Sequence, residues 1–398
     1  MNIIVSGGWG YGNIGDDVIL DSQIYLINSK YPDANITVLT YDKNDSCCHK
    51  NVVLEKGLHA IIDNKTSRIR FDRYNSNYQF LLKLKHKLIN KLLENKYLFK
   101  FQLFIKGKSI TELEEIIKRS DVFIMSGGGY YNEKWKAKIR SQALELTLAN
   151  KHGLKTYILG PTIGHLNAEM TSISKSIFEN ATAVSIRDEA SLKEVKKLGV
   201  DPILIPDIAL SKSYTGDSDF NKLSKLNEVG IVYTSSSKIV LDKVIYMMKY
   251  LSQENNIKIK LILTRLWKND LKMVKVLQKT LSENDIRSEI IISSDHVMLE
   301  ESLYSCSLVI SENLHGMITA ARNLVPIISI NNYEKGSPNY KKIVSFLSQL
   351  DVSSNQISEN TSYAEIDTIL AGIVKDTKYK DRVSDLVCFT NRCYLDLL

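Results

Sequence analysis

Short apolar segments rich in β-branched residues alternate with longer amphipathic segments along the 398-residue chain. This alternation predicts parallel β-strands covered by helices. In the first half, the predicted strands are Ile3–Ser6, Ile36–Thr40, Asp121–Met125, Thr156–Leu159, Ala183–Ile186 and Ile203–Ile205. In the second half, they are Val229–Tyr233, Ile257–Leu263, Glu289–Ile292, Ser307–Ile310 and Pro326–Ile330. Two such series indicate two α/β units.

The same pattern gives the expected domain organisation. The predicted parts are an N-terminal Rossmann-like domain at 1–210 with a basic insert at 64–108, a polar linker at 211–228, a C-terminal Rossmann-like domain at 229–350, and a helical tail at 351–398. The chain exceeds the roughly 250–300 residues at which single cores stop growing. We expect a GT-B-like α/β fold, with two domains facing each other across a cleft that holds the active site. Ligands of open α/β sheets bind at the carboxyl ends of strands, so residues at strand ends are the main candidates.

Composition restricts the class of protein and its location. The apolar fraction of 44% and charged fraction of 24% are ordinary for a globular protein. No basic region precedes the apolar Ile3–Val5, and no stretch approaches the roughly 18 apolar residues of a membrane span. Five cysteines without paired C-x-x-C spacing indicate reduced thiols. We therefore expect a cytoplasmic protein, with no metal site and no cofactor.

The positive charge of the chain is concentrated in the predicted insert. Residues 65–108 hold twelve Lys or Arg and two acids (12 − 2 = +10), so the rest carries 7 − 10 = −3. Such a local excess does not indicate nucleic-acid binding. The segment 80–106 mixes lysines with Leu and Phe, which is typical of a helix on an anionic membrane surface. A helix packed on the protein with a solvated lysine face is an equal alternative, and the oligomeric state is left open.

A glycine-rich loop follows the first predicted strand. It contains the spacing G-x-G-x-x-G at Gly10, Gly12 and Gly15, which is typical of dinucleotide binding. Asp16 and Asp17 would repel a pyrophosphate at the start of the next helix, so this interpretation is disfavoured. We expect Asp16 or Asp17 to bind or deprotonate a sugar hydroxyl, with Gly12 and Asn13 nearby. Helix capping by Asp16 is the alternative.

Other strand ends of the first half carry candidate binding residues. Gly127, Gly128 and Gly129 are suited to bring backbone N–H groups close to an anion. His165 follows the next strand and is a candidate to reach the cleft, and a loop histidine without a functional role is the alternative. Arg187 suits a carboxylate or phosphate through its bidentate guanidinium, and an ion pair with Asp188 or Glu189 is the alternative.

The segment from Ser311 to Ala321 is the most informative part of the second half. A buried strand ends in Ser311, Glu312 and Asn313, and His315 stands at the strand-to-helix junction. Histidine there is suited to general acid/base chemistry near neutral pH, and Glu312 is placed to orient it. Lys335 adds a cation after the next strand. A histidine that merely starts a helix is the structural alternative.

Taken in order, these motifs resemble the polysaccharide pyruvyl transferase family. The residues that carry the resemblance are Gly15 to Leu20, Gly127 to Gly129, Gly160 to Gly164, Arg187 to Ser191, Pro206 to Leu210, Ser311 to Gly316, Val325-Pro326, and Tyr333 with Lys335. The resemblance implies transfer of pyruvate from phosphoenolpyruvate, the donor substrate, to two hydroxyls of a sugar. The expected acceptor is a bacterial surface polysaccharide or its lipid-linked precursor, and the product is a cyclic ketal.

One position departs from the family pattern, which is usually Arg-Leu-His where this chain has Asn313-Leu-His315. Asn carries no charge, so either Arg187, Lys335 or Arg322 supplies the charge-assisted contact to the donor, or the donor is a different one. We expect Arg187, Lys335, Asn313 and the triple-glycine loop to bind the donor. Catalysis is assigned to His315 with Glu312, Asp16 and Asp17.

Two other functions fit the same pattern. A GT-B-type glycosyltransferase that uses a nucleotide sugar would share the two-domain architecture. A non-catalytic binding member of a polysaccharide assembly complex would keep acceptor binding without turnover of a donor.

Overall fold

The computed structural model describes residues 1–10, 12–41, 51–63, 94–212, 227–234, 237–254, 257–265 and 268–398. Most of the predicted insert (64–93) and of the predicted linker (213–226) lies outside the described residues. The described chain forms two units. The first comprises Met1–Gly12, Gln23–Ile208 and Cys393–Leu398, and the second comprises Asn13–Ser22 and Ala209–Arg392. Asn13–Ser22 thus groups with the second unit, and the last six residues group with the first.

The first unit contains a seven-stranded parallel sheet. Its strands are β1 (Asn2–Ser6), β2 (Asn35–Thr40), β3 (Val52–Lys56), β4 (Val122–Ser126), β5 (Lys155–Leu159), β6 (Ala183–Ile186) and β7 (Ile203–Leu204). Their order is β3-β2-β1-β4-β5-β6-β7, and every pair is parallel. β1 and β4 are buried along almost their whole length. Their continuous apolar sequence suits this position, because central parallel strands are covered on both faces.

The second unit contains a six-stranded parallel sheet. Its strands are β8 (Glu228–Val232), β9 (Lys258–Leu263), β10 (Ser288–Ile292), β11 (Leu308–Ser311), β12 (Ile327–Ile330) and β13 (Gln356–Ile357). Their order is β10-β9-β8-β11-β12-β13. The chain order reverses between β8 and β11, which is the position where open α/β sheets bind ligands.

Fourteen α-helices lie among the described residues. They are α1 (Ile14–Lys30), α2 (Leu58–Asp63), α3 (Lys96–Ile105), α4 (Gly107–Lys118), α5 (Lys136–Lys151), α6 (Ala168–Glu179), α7 (Glu189–Lys197), α8 (Lys238–Glu254), α9 (Lys268–Ser282), α10 (His296–Tyr304), α11 (Leu314–Arg322), α12 (Pro338–Gln349), α13 (Tyr363–Lys375) and α14 (Tyr379–Leu397). Several begin at sequence signals, such as the capping box of Ser362 and Glu365 at α13. No helix among the described residues is long and apolar enough to cross a membrane.

The architecture agrees with the predicted fold class: two α/β units with parallel sheets and a helical C-terminal end. Each of the eleven predicted strands overlaps an observed strand. The sequence pattern missed β3 and β13, and β13 lies inside the segment predicted as a helical tail.

Candidate functional site

The start of α1 is attached to the loop that follows β9, within the second unit. The backbone N–H of Ile14 donates to the carbonyl oxygen of Thr264 at 3.1 Å, and Asn13 and Arg265 form an antiparallel backbone bridge. The Asn13 side chain donates to Asp16 Oδ2 at 2.9 Å. These bonds fix the first turn of α1 at the carboxyl end of a strand of the second sheet.

Gly15 lies directly against His315. A Cβ atom on Gly15 would lie 2.8 Å from Cγ and 2.9 Å from Cβ of His315, closer than real Cβ contacts come, and closer still to Nδ1. Glycine is therefore required at this position for the imidazole to occupy its place. The two carboxylates that follow in the chain, Asp16 and Asp17, are both buried in the first turn of α1. The structure thus brings the glycine-rich motif and the histidine motif together.

His315 lies in the first turn of α11, and Asn313 is the N-cap of that helix. Asn313 Oδ1 accepts hydrogen bonds from the backbone N–H groups of His315 at 2.9 Å and Gly316 at 3.2 Å. Ser311 Oγ donates to the Asn313 carbonyl oxygen and accepts from the Asn313 N–H. Asn313 therefore has a structural role that arginine, which has no acceptor atom, would not fill.

Glu312 is fixed by the end of the neighbouring strand β8. Its Oε2 accepts from the backbone N–H of Thr234 at 2.6 Å and from Thr234 Oγ1 at 3.2 Å, and its own N–H donates to Val232. Glu312 is 4% exposed, and these hydrogen bonds satisfy its buried carboxyl group, as buried polar groups require. The position of Glu312 at a strand end could be predicted from the sequence. Its contact with Thr234 could not, because that contact depends on β8 and β11 being neighbours in the sheet.

Arg265 and Asp270 form a charged pair after β9 that was not among the predicted site residues. Arg265 Nε lies 2.8 Å from Asp270 Oδ2, and Nη2 lies 3.2 Å from Oδ1, which makes the pair bidentate. Burial raises the pKa of the Asp270 carboxyl, and the Arg265 guanidinium opposes this shift. The signal was available, because Thr264-Arg265 directly follows the predicted strand Ile257–Leu263.

Tyr333 lies close to these charged groups. Burial raises the pKa of its phenol, the charge of Glu312 raises it further, and the charge of Arg265 opposes the shift. The phenol therefore stays protonated at neutral pH and remains a hydrogen-bond donor. Tyr333 belongs to the family-like motif whose other member, Lys335, is exposed on the loop that precedes α12.

Arg322 is 1% exposed and pairs with Glu300. Its Nη1 donates to Ser22 Oγ and to the Ala209 carbonyl oxygen, each at 2.8 Å. Burial lowers the pKa of the guanidinium to about 10. These bonds hold Arg322 within the second unit, and its role toward the donor stays a prediction.

Close packing explains why glycine occupies several loop positions of the first unit. A Cβ atom on Gly127 would lie 2.5 Å from the carbonyl carbon of Gly160, and one on Gly128 would lie 2.7 Å from Cδ2 of Tyr130. A Cβ atom on Gly129 would meet nothing within 4 Å. Gly160 itself has φ of +62°, a conformation that favours glycine. The loops after β4 and β5 are thus packed closely against each other.

Arg187 lies beside the Gly160 loop in a buried ion pair with Asp207. Arg187 Nη1 lies 2.7 Å from Asp207 Oδ2, and Nε donates to Thr162 Oγ1 at 2.8 Å. The partner is Asp207, whereas Asp188 caps α7 by accepting from the Ser191 N–H at 2.8 Å. Both groups of the pair are almost fully buried, at 4% and 6% side-chain exposure. The binding of an anion by Arg187 stays a prediction.

The remaining candidates for the acceptor site occupy different positions. Gly12 is buried with φ of +87°, directly before Asn13 in the chain. His165 is exposed, and its carbonyl oxygen accepts from the Glu133 N–H at 3.1 Å. The second unit thus holds Asn13, Asp16, Asp17, Glu312, Asn313, His315 and Lys335, and the first unit holds Gly12, the triple-glycine loop, His165 and Arg187.

The fold places the protein in the GT-B-like class, as similar solved structures show. Anabaena Alr3699/HepE, solved with UDP, aligns with a TM-score of 0.53 at 12% identity, covering 100% of this chain and 99% of that one. The UDP-GlcNAc 2-epimerase from Neisseria meningitidis, bound to UDP-GlcNAc, gives 0.55 at 8% identity, with coverage of 100% and 99%. TcCGT1 with UDP gives 0.51 at 11% identity, with coverage of 100% and 98%.

The family follows from the sequence itself. The sequence profile of the polysaccharide pyruvyl transferase family matches residues 13–333, which include the start of α1, the histidine motif and Tyr333. The chain therefore belongs to the polysaccharide pyruvyl transferase family. A comparison with curated proteins found no significant sequence match.

Proposed function

We propose that this protein transfers pyruvate from phosphoenolpyruvate to two hydroxyls of one sugar in a bacterial surface polysaccharide or its lipid-linked precursor. Family membership over residues 13–333 supports the reaction class. The observation that carries the proposal is the packing of Gly15 against His315, because it joins the two most informative motifs of the chain in one site.

The reaction balances with acid/base chemistry alone. One sugar hydroxyl adds to C2 of the donor while C3, the methylene carbon, takes up a proton and becomes a methyl group. The second hydroxyl then forms the other C2–O bond as the bond from C2 to the phosphate oxygen breaks. One hydroxyl proton is taken up at C3 and the other leaves with phosphate, so the products are a cyclic ketal and inorganic phosphate.

We assign the proton transfers to His315 and the carboxylates near it. A histidine has a pKa suited to giving and taking protons near neutral pH. We assign Glu312 to orient the imidazole, and its own carboxyl group is held in place by hydrogen bonds from Thr234. Asp16 or Asp17, one and two residues after Gly15, binds or deprotonates the acceptor hydroxyl. Gly12, Asn13 and His165 are assigned to acceptor binding.

The donor carries phosphate and carboxylate charges that need cations and N–H donors. We assign Arg187, Lys335, Asn313 and the N–H groups of Gly127–Gly129 to this task, as the motifs imply. Arg265 adds a guanidinium near Tyr333, since its charge opposes the rise in the pKa of that phenol. Arg265 thereby supplies a positive charge in the unit where the family arginine is replaced by Asn313.

Thermal shifts with phosphoenolpyruvate, UDP-, GDP- and CMP-sugars in parallel test the donor class. A ligand at 100 times its Kd adds about 2.7 kcal/mol to the free energy of unfolding, which raises the Tm measurably. We expect stabilisation by phosphoenolpyruvate only. Stabilisation by a nucleotide sugar only would make the protein a glycosyltransferase. Acceptor binding with no response to any donor would make it a non-catalytic member of an assembly complex.

A further inference from the structure

Helix α3 exposes a band of large apolar side chains. Their exposed fractions are 70% for Tyr97, 38% for Leu98, 57% for Phe101, 84% for Phe104 and 53% for Ile105. Tyr97, Phe101 and Phe104 follow the spacing i, i+4, i+7, so they lie on one side of the helix. Isolated exposed apolar residues are ordinary, but five on one ten-residue helix form a patch of the kind that marks a binding surface. We call these five residues the exposed α3 face.

The opposite side of α3 is fixed to the first unit. Phe99 is 5% exposed and belongs to the core of that unit, and Leu103 packs against the same core. The Arg140 guanidinium lies 6.0 Å from the Phe99 ring centroid and donates to the Glu94 carbonyl oxygen at 2.8 Å. The Asn95 side chain caps the helix by accepting from two backbone N–H groups. Because this side is anchored, the exposed α3 face cannot rotate into the core.

Lysines border the exposed α3 face along one side. Residues 95–108 contain four lysines and no Asp or Glu. Lys96 and Lys100 are exposed and fall on the flank of the apolar band, and Lys96 Nζ lies 5.2 Å from the Tyr97 ring centroid. An apolar band of aromatic residues bordered by lysines is complementary to a bilayer surface whose headgroups are anionic.

We propose that the exposed α3 face docks on an anionic lipid bilayer, with Phe101 and Phe104 entering the boundary between headgroups and acyl chains and Lys96 and Lys100 contacting the headgroups. This goes beyond pyruvyl transfer, since docking needs neither donor nor acceptor. It would bring the protein to the surface where a lipid-linked acceptor is held.

Flotation of the full-length protein with vesicles tests the proposal. The vesicles are phosphatidylcholine alone, or phosphatidylcholine with phosphatidylglycerol. We expect the wild type to float with the anionic vesicles and less with the neutral ones, and salt to weaken this binding. Phe101→Ser/Phe104→Ser should reduce the vesicle-bound fraction about tenfold or more. Lys96→Gln/Lys100→Gln should reduce it by about fivefold for each lysine.

Matched changes elsewhere serve as controls. Phe389→Ser removes an aromatic side chain of similar exposure (52%) from α14, and Lys272→Gln/Lys275→Gln removes two exposed lysines from α9. Both controls should float like the wild type. Equal flotation of Phe101→Ser/Phe104→Ser and wild type would overturn the proposal, as would wild-type protein that does not float. Concentration-dependent self-association abolished by the α3 variants, without vesicle binding, would instead assign this surface to a second copy of the chain.

Discussion

Gly15 and His315 are in contact at a distance that leaves no room for a side chain on residue 15. The contact joins the first turn of α1 to the first turn of α11, both in the second unit. It explains why a glycine precedes Asp16 and Asp17, and it ties the position of these carboxylates to that of the histidine.

Gly15→Ala should therefore displace His315 and lower turnover. A misplacement of about 1 Å in a catalytic group can reduce rates by roughly 10²-fold, and we expect an effect of that size in kcat. Steady-state kinetics and the Tm would be measured together. Gly372→Ala, on the exposed surface of α13, is the matched control and should keep full activity, since a Cβ there meets nothing within 4 Å. Unchanged kcat in Gly15→Ala would mean that the contact does not position the histidine.

Asn313 should contribute to stability as a helix cap. Asn313→Ala removes the acceptor for two N–H groups and should lower the free energy of unfolding by about 0.5–2 kcal/mol. Asn313→Asp keeps an acceptor and places a negative charge at the helix N-terminus, so it should stay close to wild type. Urea unfolding measures both. If Ala and Asp at this position are equally stable, the cap is not what asparagine provides here.

Variants of the Arg187–Asp207 pair should distinguish a role in stability from a role in donor binding. Asp207→Asn leaves a buried, unbalanced guanidinium and should cost about 3–5 kcal/mol, whereas Arg187→Met/Asp207→Leu removes both charges and should recover much of that loss. The double variant, once shown to be folded by its unfolding curve, is then tested for stabilisation by phosphoenolpyruvate. Wild-type stabilisation by the donor would show that Arg187 is a structural residue only.

Arg265 should bind the donor. Replacing it alone would leave the buried Asp270 unbalanced, so Arg265→Gln/Asp270→Asn is the appropriate variant. We expect KM for phosphoenolpyruvate to rise about tenfold through loss of a charge-assisted contact. Lys335→Gln, made in parallel, compares the cation that the sequence suggested with the one found in the structure. An unchanged KM in the Arg265 variant would remove it from the donor site.

The strand predictions show where sequence periodicity is sufficient. The eleven predicted strands are short apolar runs, and they include two edge strands, β7 and β10. The two missed strands, β3 and β13, are edge strands, each at one end of its sheet. β3 is only partly buried and ends in the charged residues Glu55 and Lys56, and β13 lies within a polar stretch of the chain, so neither stands out as a buried apolar strand.

The sequence pattern predicted which residues at strand ends are candidates for the site. It did not predict which residues their side chains contact. His315, Glu312 and Asp16 were predicted because they follow apolar strands. The contact with Gly15 could not be foreseen, since it depends on the grouping of residues 13–22 with the second unit. Asp207 as the partner of Arg187 likewise lies twenty residues away in the chain, beyond any local pattern.

Transfer of labelled carbon tests the central proposal most directly. Phosphoenolpyruvate labelled at C3 is incubated with the protein and a polysaccharide acceptor, and NMR follows the label while released phosphate is measured. We expect a sugar-bound methyl group to form in equal amount to phosphate, and His315→Ala to slow both by roughly 10²–10⁴-fold. Phosphate release without label on the sugar, no reaction of the donor, or equal rates in wild type and His315→Ala would contradict it.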